Sequence, residues 1–407
     1  MQRLDFCAKR KKKVMLILQG MELPRARIYH IAEKLLLNEF EPVVAVSKRY
    51  KLKDSKIRVK EIALPYLPWD FPIRFIFDPF LNFLVMFFIV FLENPSVIVL
   101  SVPDGSPLIP TFFTCKVLKK KLIIDIRDEW EKTLFEKRLG KIGLFIERII
   151  HYIYASADAL TVVTPPLLKK YSSINANTFL VFNAVDIDLF KPSSEKERES
   201  VRELLGLKPE DFVVVYSGKI SPPYRIDVAL KSLKILKERG DDEVKLLIIG
   251  KSGHAYSGKI TNSEIYKLAC RLNVEDRVRI LSFKPQRELI RYLGASNAGL
   301  VLYDENPLWK RSIPNKFFEY CAVGLPVIAT TYPDSILAYL INKYEIGMTV
   351  PPLNYRELAE VISKLKNNKL LLNKMSINAR KLAVTLFSAE REYAKFIHII
   401  EKLLEEN

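Results

Sequence analysis

Cysteine is scarce in this 407-residue chain: Cys7, Cys115, Cys270 and Cys321 stand far apart, without CxxC spacing. That excludes a disulfide framework or a zinc ribbon as the organising device and points to a reducing compartment. Histidine is equally sparse, so no metal ligand set is expected. No apolar run reaches the roughly 20 residues that a bilayer-spanning helix needs. The strongest candidate, Phe80 to Leu92, is closed by Asp78 and Glu93 and reads as a buried or membrane-surface helix. The buried reading is preferred because the strand-like SVIVLSV follows at once. The basic start, KRKKK before VMLILQ, has too short an apolar part for a secretory signal. Internal repeats and low-complexity tracts are also missing.

What the chain does have is apolar bulk and positive charge. Hydrophobic residues make up 49%, enough for two substantial cores and against disorder. Lys and Arg number 64 against 47 Asp and Glu, a net charge of +17. An anionic partner follows, whether nucleotide phosphate, nucleic acid or acidic membrane. Nucleic acid is set aside, because no reading motif is present and aromatics are not interleaved with the basic runs. Lys9 to Lys13, Lys48 to Lys60 and Lys119 to Lys121 concentrate the charge in the first half, beside Phe80 to Leu92.

Apolar runs at Val14 to Gly20, Pro42 to Val46, Ile57 to Leu64, Val97 to Val102, Leu122 to Ile126, Leu160 to Thr164 and Phe179 to Phe182 alternate with helical patterns. Arg25 to Phe40 and Thr133 to Ser156 are two of these helical patterns. Continuous hydrophobicity implies strands covered on both faces, hence a mostly parallel sheet and an α/β class. At Asn183 to Ser200 the composition turns charged and polar, which places a domain boundary there. The alternation then resumes: strands at Phe212 to Ser217, Lys245 to Ile249, Val278 to Phe283 and Gly299 to Tyr303, with helices at Ile226 to Arg239, Ser263 to Leu272 and Gln286 to Gly294. The expected division is a basic tail 1–13, a first domain 14–185, a linker 186–200, a second domain 201–386 and a helix 387–407 that returns to the first domain. Two open parallel sheets imply a cleft lined by the carboxyl ends of their strands.

The stretch that organises the rest is PNKFFEYCAVGLPVIAT, Pro314 to Thr330. It reads as a helix opened by Pro314 and ended by Gly324, then a short buried strand. Glu319 sits among apolar neighbours, where an unpaired charge costs several kcal/mol on the order of magnitude. It is expected to meet a partner, such as two ribose hydroxyls. The helix start, with Asn315 and Lys316, suits a phosphate. In YSGKISPPYRID, Gly218 permits close backbone approach while Lys219 and Arg225, on a Pro-rich loop, are placed to clamp a diphosphate. Gly253 to Lys259 spells GxxxxGK, but Ile260 stands where Ser or Thr should bind magnesium, so a P-loop is rejected and a glycine-rich turn after Gly250 suffices. Asp128, in DIRDEWE, is either a helix-start carboxylate or a general base. Asp186 and Asp188 form a DxD away from any strand end, and no metal role is assigned to them.

Taken together these stretches resemble the retaining family four glycosyltransferases of GT-B fold, also called group 1 glycosyl transferases. PNKFFEYCAVGLPVIAT resembles that family's signature helix and strand, NAVDIDLFKP its interdomain segment, and YSGKISPPYRID its phosphate loop. RVRILSFKPQRELIRYLGASNAGLVL resembles the segment beside its base pocket, and QGMELPRARIYHIAEKLL with DIRDEWE matches the first domain more loosely. The resemblance implies two Rossmann-like parallel-sheet domains facing each other across a cleft. It implies transfer of a sugar from a nucleotide-diphosphate donor to an acceptor hydroxyl with retention, without a metal or any other cofactor. Glu319 would hold the ribose, Lys219 and Arg225 the diphosphate, and the backbone of Phe283, Lys284 and Pro285 the base. Gly20 and Asp128 would border the acceptor, Gly20 in an acceptor loop with Arg25 and Arg27, and Asp128 as a catalytic group beside Lys219 and Arg225. Arg311 stands where the family usually has a glutamate. The expected partners are the nucleotide sugar, a glycan or lipid-linked acceptor and an anionic membrane surface, in cell-surface glycan or glycolipid assembly on the inner face of the cell membrane. A catalytically inactive scaffold of the same fold, and an epimerase or phosphorylase on a similar fold, are the alternatives.

Overall fold

A computed structural model describes residues 11–18, 26–47, 59–64, 74–102, 107–129, 140–252, 254–255, 258–259 and 262–405. The chain divides into two units, one comprising Met1–Phe182 and Glu390–Asn407, the other Asn183–Ala389.

The strands of the first unit are β1 (Lys13–Leu18), β2 (Glu41–Ser47), β3 (Lys60–Leu64), β4 (Val97–Val102), β5 (Lys121–Ile126), β6 (Ala159–Val162) and β7 (Thr178–Leu180). They form one sheet in the order β3-β2-β1-β4-β5-β6-β7, parallel throughout. All of β4 and β6 is buried, as continuous apolar runs covered on both faces require. The core on one side gathers Met15, Ile98, Leu100 and Ile124 with Met86, Val90, Phe112 and Tyr154 from the covering helices. The C-terminal helix Ala389–Glu405 belongs here: Phe396, Ile399, Ile400 and Leu403 are buried, and the Glu392 carboxylate accepts the Phe182 N–H at 2.9 Å.

The second unit holds β8 (Phe212–Ile220), β9 (Val244–Ser252), β10 (His254–Ala255), β11 (Gly258–Lys259), β12 (Val278–Leu281), β13 (Ala298–Leu302), β14 (Val327–Thr330) and β15 (Gly347–Val350). Six of them form a parallel sheet, β12-β9-β8-β13-β14-β15, while β10 and β11 make a separate antiparallel pair. The order reverses between β8 and β13, the point where such sheets open a crevice at their carboxyl ends.

Several expected elements move. β8 does not stop at Ser217: nine residues pair with β9, so Gly218 and Lys219 lie within the strand and not on the loop. Within the stretch read as a linker, the helix Glu195–Leu204 begins, closed by a reciprocal Ser194 and Glu197 capping box. Tyr355 to Leu386 is two helices, Tyr355–Asn367 and Lys369–Leu386, because the Asn368 side chain accepts the Leu371 N–H and starts a new one. Asp186 accepts the Asp188 and Leu189 N–H groups, each at 3.0 Å, and so closes a turn. The GxxxxGK glycine and lysine, Gly258 and Lys259, pair with Ala255 and His254 in the hairpin and do not open a helix.

Candidate functional site

The helix Asn315–Ala322 starts beside the carboxyl end of β8, where Lys316 meets Gly218, and runs back along the sheet to set Tyr320 against Gly299 of β13. Pro314 stands at its cap in an extended conformation rather than inside the first turn. At the other end Gly324, at φ +75°, allows a Schellman closure: its N–H meets the Cys321 carbonyl at 3.1 Å, and the Leu325 N–H meets that of Tyr320 at 2.9 Å. Helical side chains lean toward the N-terminus, so Lys316 and Glu319, one turn apart, both reach back toward the strand ends.

Tyr320 locks the helix to the sheet. Its ring occupies the space a Cβ at Gly299 would need, and its hydroxyl accepts the Ser217 N–H at 2.8 Å. Next to it, the Lys316 ammonium lies 3.6 Å from the centre of the Tyr216 ring and 5.0 Å from that of Tyr224. Lys316 is 8% exposed, and its Nζ is buried without a hydrogen-bond partner. Burial pulls its pKa down to about 7, with Glu319 opposing the shift. Glu319 keeps a partial opening to solvent, yet protein crowds its carboxylate enough that desolvation pushes its pKa up to about 7, against the pull of Lys316.

Gly218 is required where it is. Its φ is +132°, and a Cβ there would lie 3.2 Å from both Cε and Nζ of Lys316. Gly250, its neighbour across the β8 and β9 register, is equally constrained, since a Cβ would stand 2.0 Å from the Gly218 carbonyl oxygen. Tyr216 donates to the Lys219 carbonyl at 2.6 Å and fixes the strand end beneath the ammonium. Trp309 stacks on Tyr303 with ring centres 4.3 Å apart, and Tyr224 leans on both rings. The result is an aromatic wall with one buried cation against it, suited to a negatively charged group because an ammonium beside π faces and free helix amides has unspent positive potential.

The structure thus brings together Gly218, Lys219, Gly250, Asn315, Lys316 and Glu319 at the strand ends of the second unit. Arg225 is nearby in sequence but committed: from a left-handed backbone, φ 36°, its Nε and Nη2 each donate to Asp227 at 2.8 Å. Phe283, Lys284 and Pro285 follow β12, two strands from β8; Phe283 is exposed, Lys284 pairs with Glu288 at 3.2 Å, and Pro285 caps the helix Gln286–Gly294. Arg311 ends the 3-10 turn Pro307–Arg311. In the first unit Asp128 is exposed just after β5. Gly20 and Arg25 lie outside the described residues. Arg27, expected to border the acceptor, lies in the first turn of the helix Ala26–Leu37, within the helical pattern read from Arg25 to Phe40, and is buried and bound through Nε and Nη2 to Asp125 at 3.1 and 2.8 Å. Among the described residues no cluster of three or more His, Cys, Asp or Glu is placed to hold a metal.

Sequence reasoning missed the wall of Tyr216, Tyr303 and Trp309 and gave Tyr224 no part in it. The available signal was that the aromatics cluster in the strand and loop stretches on either side of the organising helix's contacts, in VVVYSG and LVLYDENPLW.

Residues 197–382 match the family model described as glycosyl transferases group 1. A D-inositol 3-phosphate glycosyltransferase of Corynebacterium aurimucosum is 30% identical over 215 residues, 52% of this chain and 49% of that protein. One of Mycobacterium marinum is 29% identical over 177 residues, 42% and 35% of the two chains. The match therefore spans about half the length, or less, of these curated relatives. Among solved structures, the Anabaena HepE protein with UDP and glucose superposes with a TM-score of 0.73 at 14% identity, over 96% of this chain and all of the other. Sucrose-phosphate synthase from Thermosynechococcus elongatus gives 0.73 at 17% identity, over 98% and 100%. With its two parallel-sheet units, the fold is GT-B.

Proposed function

We propose that this chain, a group 1 glycosyl transferase of GT-B fold, moves a sugar from a nucleotide-diphosphate donor to an acceptor hydroxyl with retention of configuration. One observation carries the reading: the Lys316 ammonium is buried and unpartnered beside Gly218, at the point where the sheet order reverses. A buried cation without a counter-ion is costly, and a bound diphosphate relieves that cost. Glu319, one turn on, is the ribose acceptor; in the complex it is ionised, because a hydroxyl pair bonded to a carboxylate favours the charged form.

In the reaction the bond between the anomeric carbon and the diphosphate oxygen breaks, a bond to the acceptor oxygen forms on the same face, and the acceptor proton passes to a diphosphate oxygen. Negative charge grows on the leaving group. Lys219 on β8, Lys316 and the amides at the start of the helix Asn315–Ala322 meet it more strongly than they meet the intact donor, which is what accelerates the step. Arg225, already held by Asp227, shapes the loop. Phe283 offers an exposed apolar face toward which a base can lean. Asp128 and the segment with Gly20 and Arg25 are assigned to the acceptor. The inositol phosphate glycosyltransferase names of the relatives suggest a polyol or glycan acceptor.

A thermal-shift panel of nucleoside diphosphates and their sugars tests the binding half, because a ligand held by the folded state raises the melting temperature. A rise with one base and its sugar is expected, and it should disappear in Lys316→Met. If no diphosphate shifts the wild type, the donor site is wrong. For the transfer half, Lys219→Ala is expected to cost about 100-fold in rate, by analogy with removal of an oxyanion donor. A variant with full rate would remove Lys219 from the mechanism.

A further inference from the structure

The helices Arg74–Glu93, Leu108–Val117 and Gly140–Ser156 cover one side of the first unit's sheet, and their outward faces break the usual pattern. A surface helix over a sheet turns apolar residues inward and polar ones outward. Here the inward stripe of the first helix is Asn82, Met86 and Val90, while Phe88 and Phe91 face out at 58% and 61% exposure. In the second helix the outward stripe is Ile109, Phe113 and Val117, at helical spacing i, i+4, i+8. The third exposes Leu144 and Phe145, with Tyr152 further along. These faces adjoin: the first two helices pack on each other, and Phe112 of the second meets Tyr152 of the third edge-on at 6.2 Å.

Cations border this apolar area. Lys116 donates to the Ser156 carbonyl at the end of the third helix, and Lys120 to the Asn94 side chain at the end of the first, with Lys119 exposed between them. Among the described residues, two acids at this rim are already paired with lysines: Glu93 with Lys13 and Lys60, and Asp158 with Lys121. A layer of anionic headgroups over acyl chains complements both features, lysines to phosphates and aromatics to the hydrocarbon boundary.

We infer that the outward faces of these three helices form a docking surface for an anionic lipid membrane. Among the described residues no helix is long and apolar enough to cross a bilayer, and the proposed contact is that of outward helix faces with the headgroup and acyl boundary. This deepens the transferase reading by giving the first unit a place where a lipid-linked acceptor is at hand, but it stands on the surface alone.

Flotation of the full chain with phosphatidylcholine vesicles, with and without phosphatidylglycerol, at low and high salt, is the test. The wild type is expected to float with the anionic vesicles and to be weakened by salt. Phe88→Ser/Phe91→Ser/Phe113→Ser should lose at least about tenfold in vesicle affinity, since binding scales with inserted apolar area. Lys116→Glu/Lys119→Glu/Lys120→Glu should lose the preference for phosphatidylglycerol. Denaturant midpoints and nucleoside diphosphate binding, both measured on the same variants, should be unchanged; failure of diphosphate binding alone would count against the donor site and not against this surface. A wild type that stays in solution with both vesicle types overturns the inference. So does equal flotation of the wild type and the apolar triple variant. A dimer in sedimentation equilibrium that the apolar variant abolishes, without vesicle binding, would assign the face to a second copy instead.

Discussion

Arg27 with Asp125 in the first unit and Lys316 with Glu319 in the second each set a buried cation near a carboxylate, and they are built in opposite ways. The Arg27 guanidinium has every direction filled: two bonds to Asp125, one each to the Phe182 and Val181 carbonyls at 2.7 and 3.0 Å, and the rings of Tyr393 and Phe396 on its faces. Asp125 also accepts from Ser101 and Thr161. Burial works against its charge, but Arg27 outweighs that and holds the carboxyl below its ordinary pKa. Lys316 and Glu319 have no such closure: they feel one another's charge without an ion pair, and both drift toward their neutral forms. The contrast separates a charge pair that completes a core from one left open. The first ties β5, the helix Ala26–Leu37 and the C-terminal helix into one unit, whereas the second has capacity to spare for a ligand.

The sharpest way to break this comparison is to truncate one member of the closed pair. Arg27→Ala or Asp125→Ala should each cost about 3 to 5 kcal/mol of unfolding free energy, because a buried charge is left without its counter-ion. Replacing both together, Arg27→Met with Asp125→Leu, should recover most of that loss, since no charge is then stranded. Denaturant titration followed by circular dichroism reads both. If the single truncations cost under about 1 kcal/mol, the pair is not closed in the sense argued.

Lys316→Met should do the reverse. Stability of the unliganded protein is expected to stay level or rise by up to about 4 kcal/mol, because an unpaired buried cation is replaced by an apolar chain of similar length. Affinity for the diphosphate should fall by about 1.5 to 3 kcal/mol, the worth of a charge-assisted bond. Calorimetric titration with the nucleoside diphosphate identified in the thermal panel gives the second number. A variant that is less stable and binds normally would make Lys316 a structural residue like Arg27.

Much of this was legible in the sequence, and the gaps have physical reasons. Continuous apolar runs located most strands of the two sheets, because a strand covered on both faces has no polar side to show. The helix with Lys316 and Glu319 could be read from one ammonium and one carboxylate among aromatics, with Gly324 to stop it. What one-dimensional reading could not supply was adjacency across the sheet. Asp125 and Arg27 are 98 positions apart and meet only because β5 lies two strands from β1 and the Ala26–Leu37 helix follows β1. The Tyr216, Tyr303 and Trp309 wall likewise forms only once β8 and β13 are neighbours. β15, with the sequence GMTV, was too short and too mixed to stand out. The end of β8 was missed for a different reason: Gly218 and Lys219 look like a turn, and it is pairing with β9 that holds them extended.

The smallest expected effect concerns acidity. Glu319 holds its proton up to about pH 7 in the folded chain, against an ordinary 4.5, so between these values the folded state binds more protons than the unfolded and stability falls as pH rises. Lys316 releases its proton near pH 7 instead of 10.5, so from pH 7 upward the unfolded state binds more and stability rises again. The open pair should therefore carve a shallow minimum near neutrality, with each limb worth on the order of 1 kcal/mol once solvent at the partly open carboxylate is allowed for. Glu319→Gln should flatten the acid limb, Lys316→Met the alkaline limb, and saturating diphosphate should fill the minimum by keeping Lys316 charged. Arg27 and Asp125 contribute nothing near pH 7, because each is held in its charged form there. Denaturant midpoints measured from pH 5 to 10 decide it: profiles of wild type and both variants that run parallel would mean that the pair in the second unit is as closed as the one in the first.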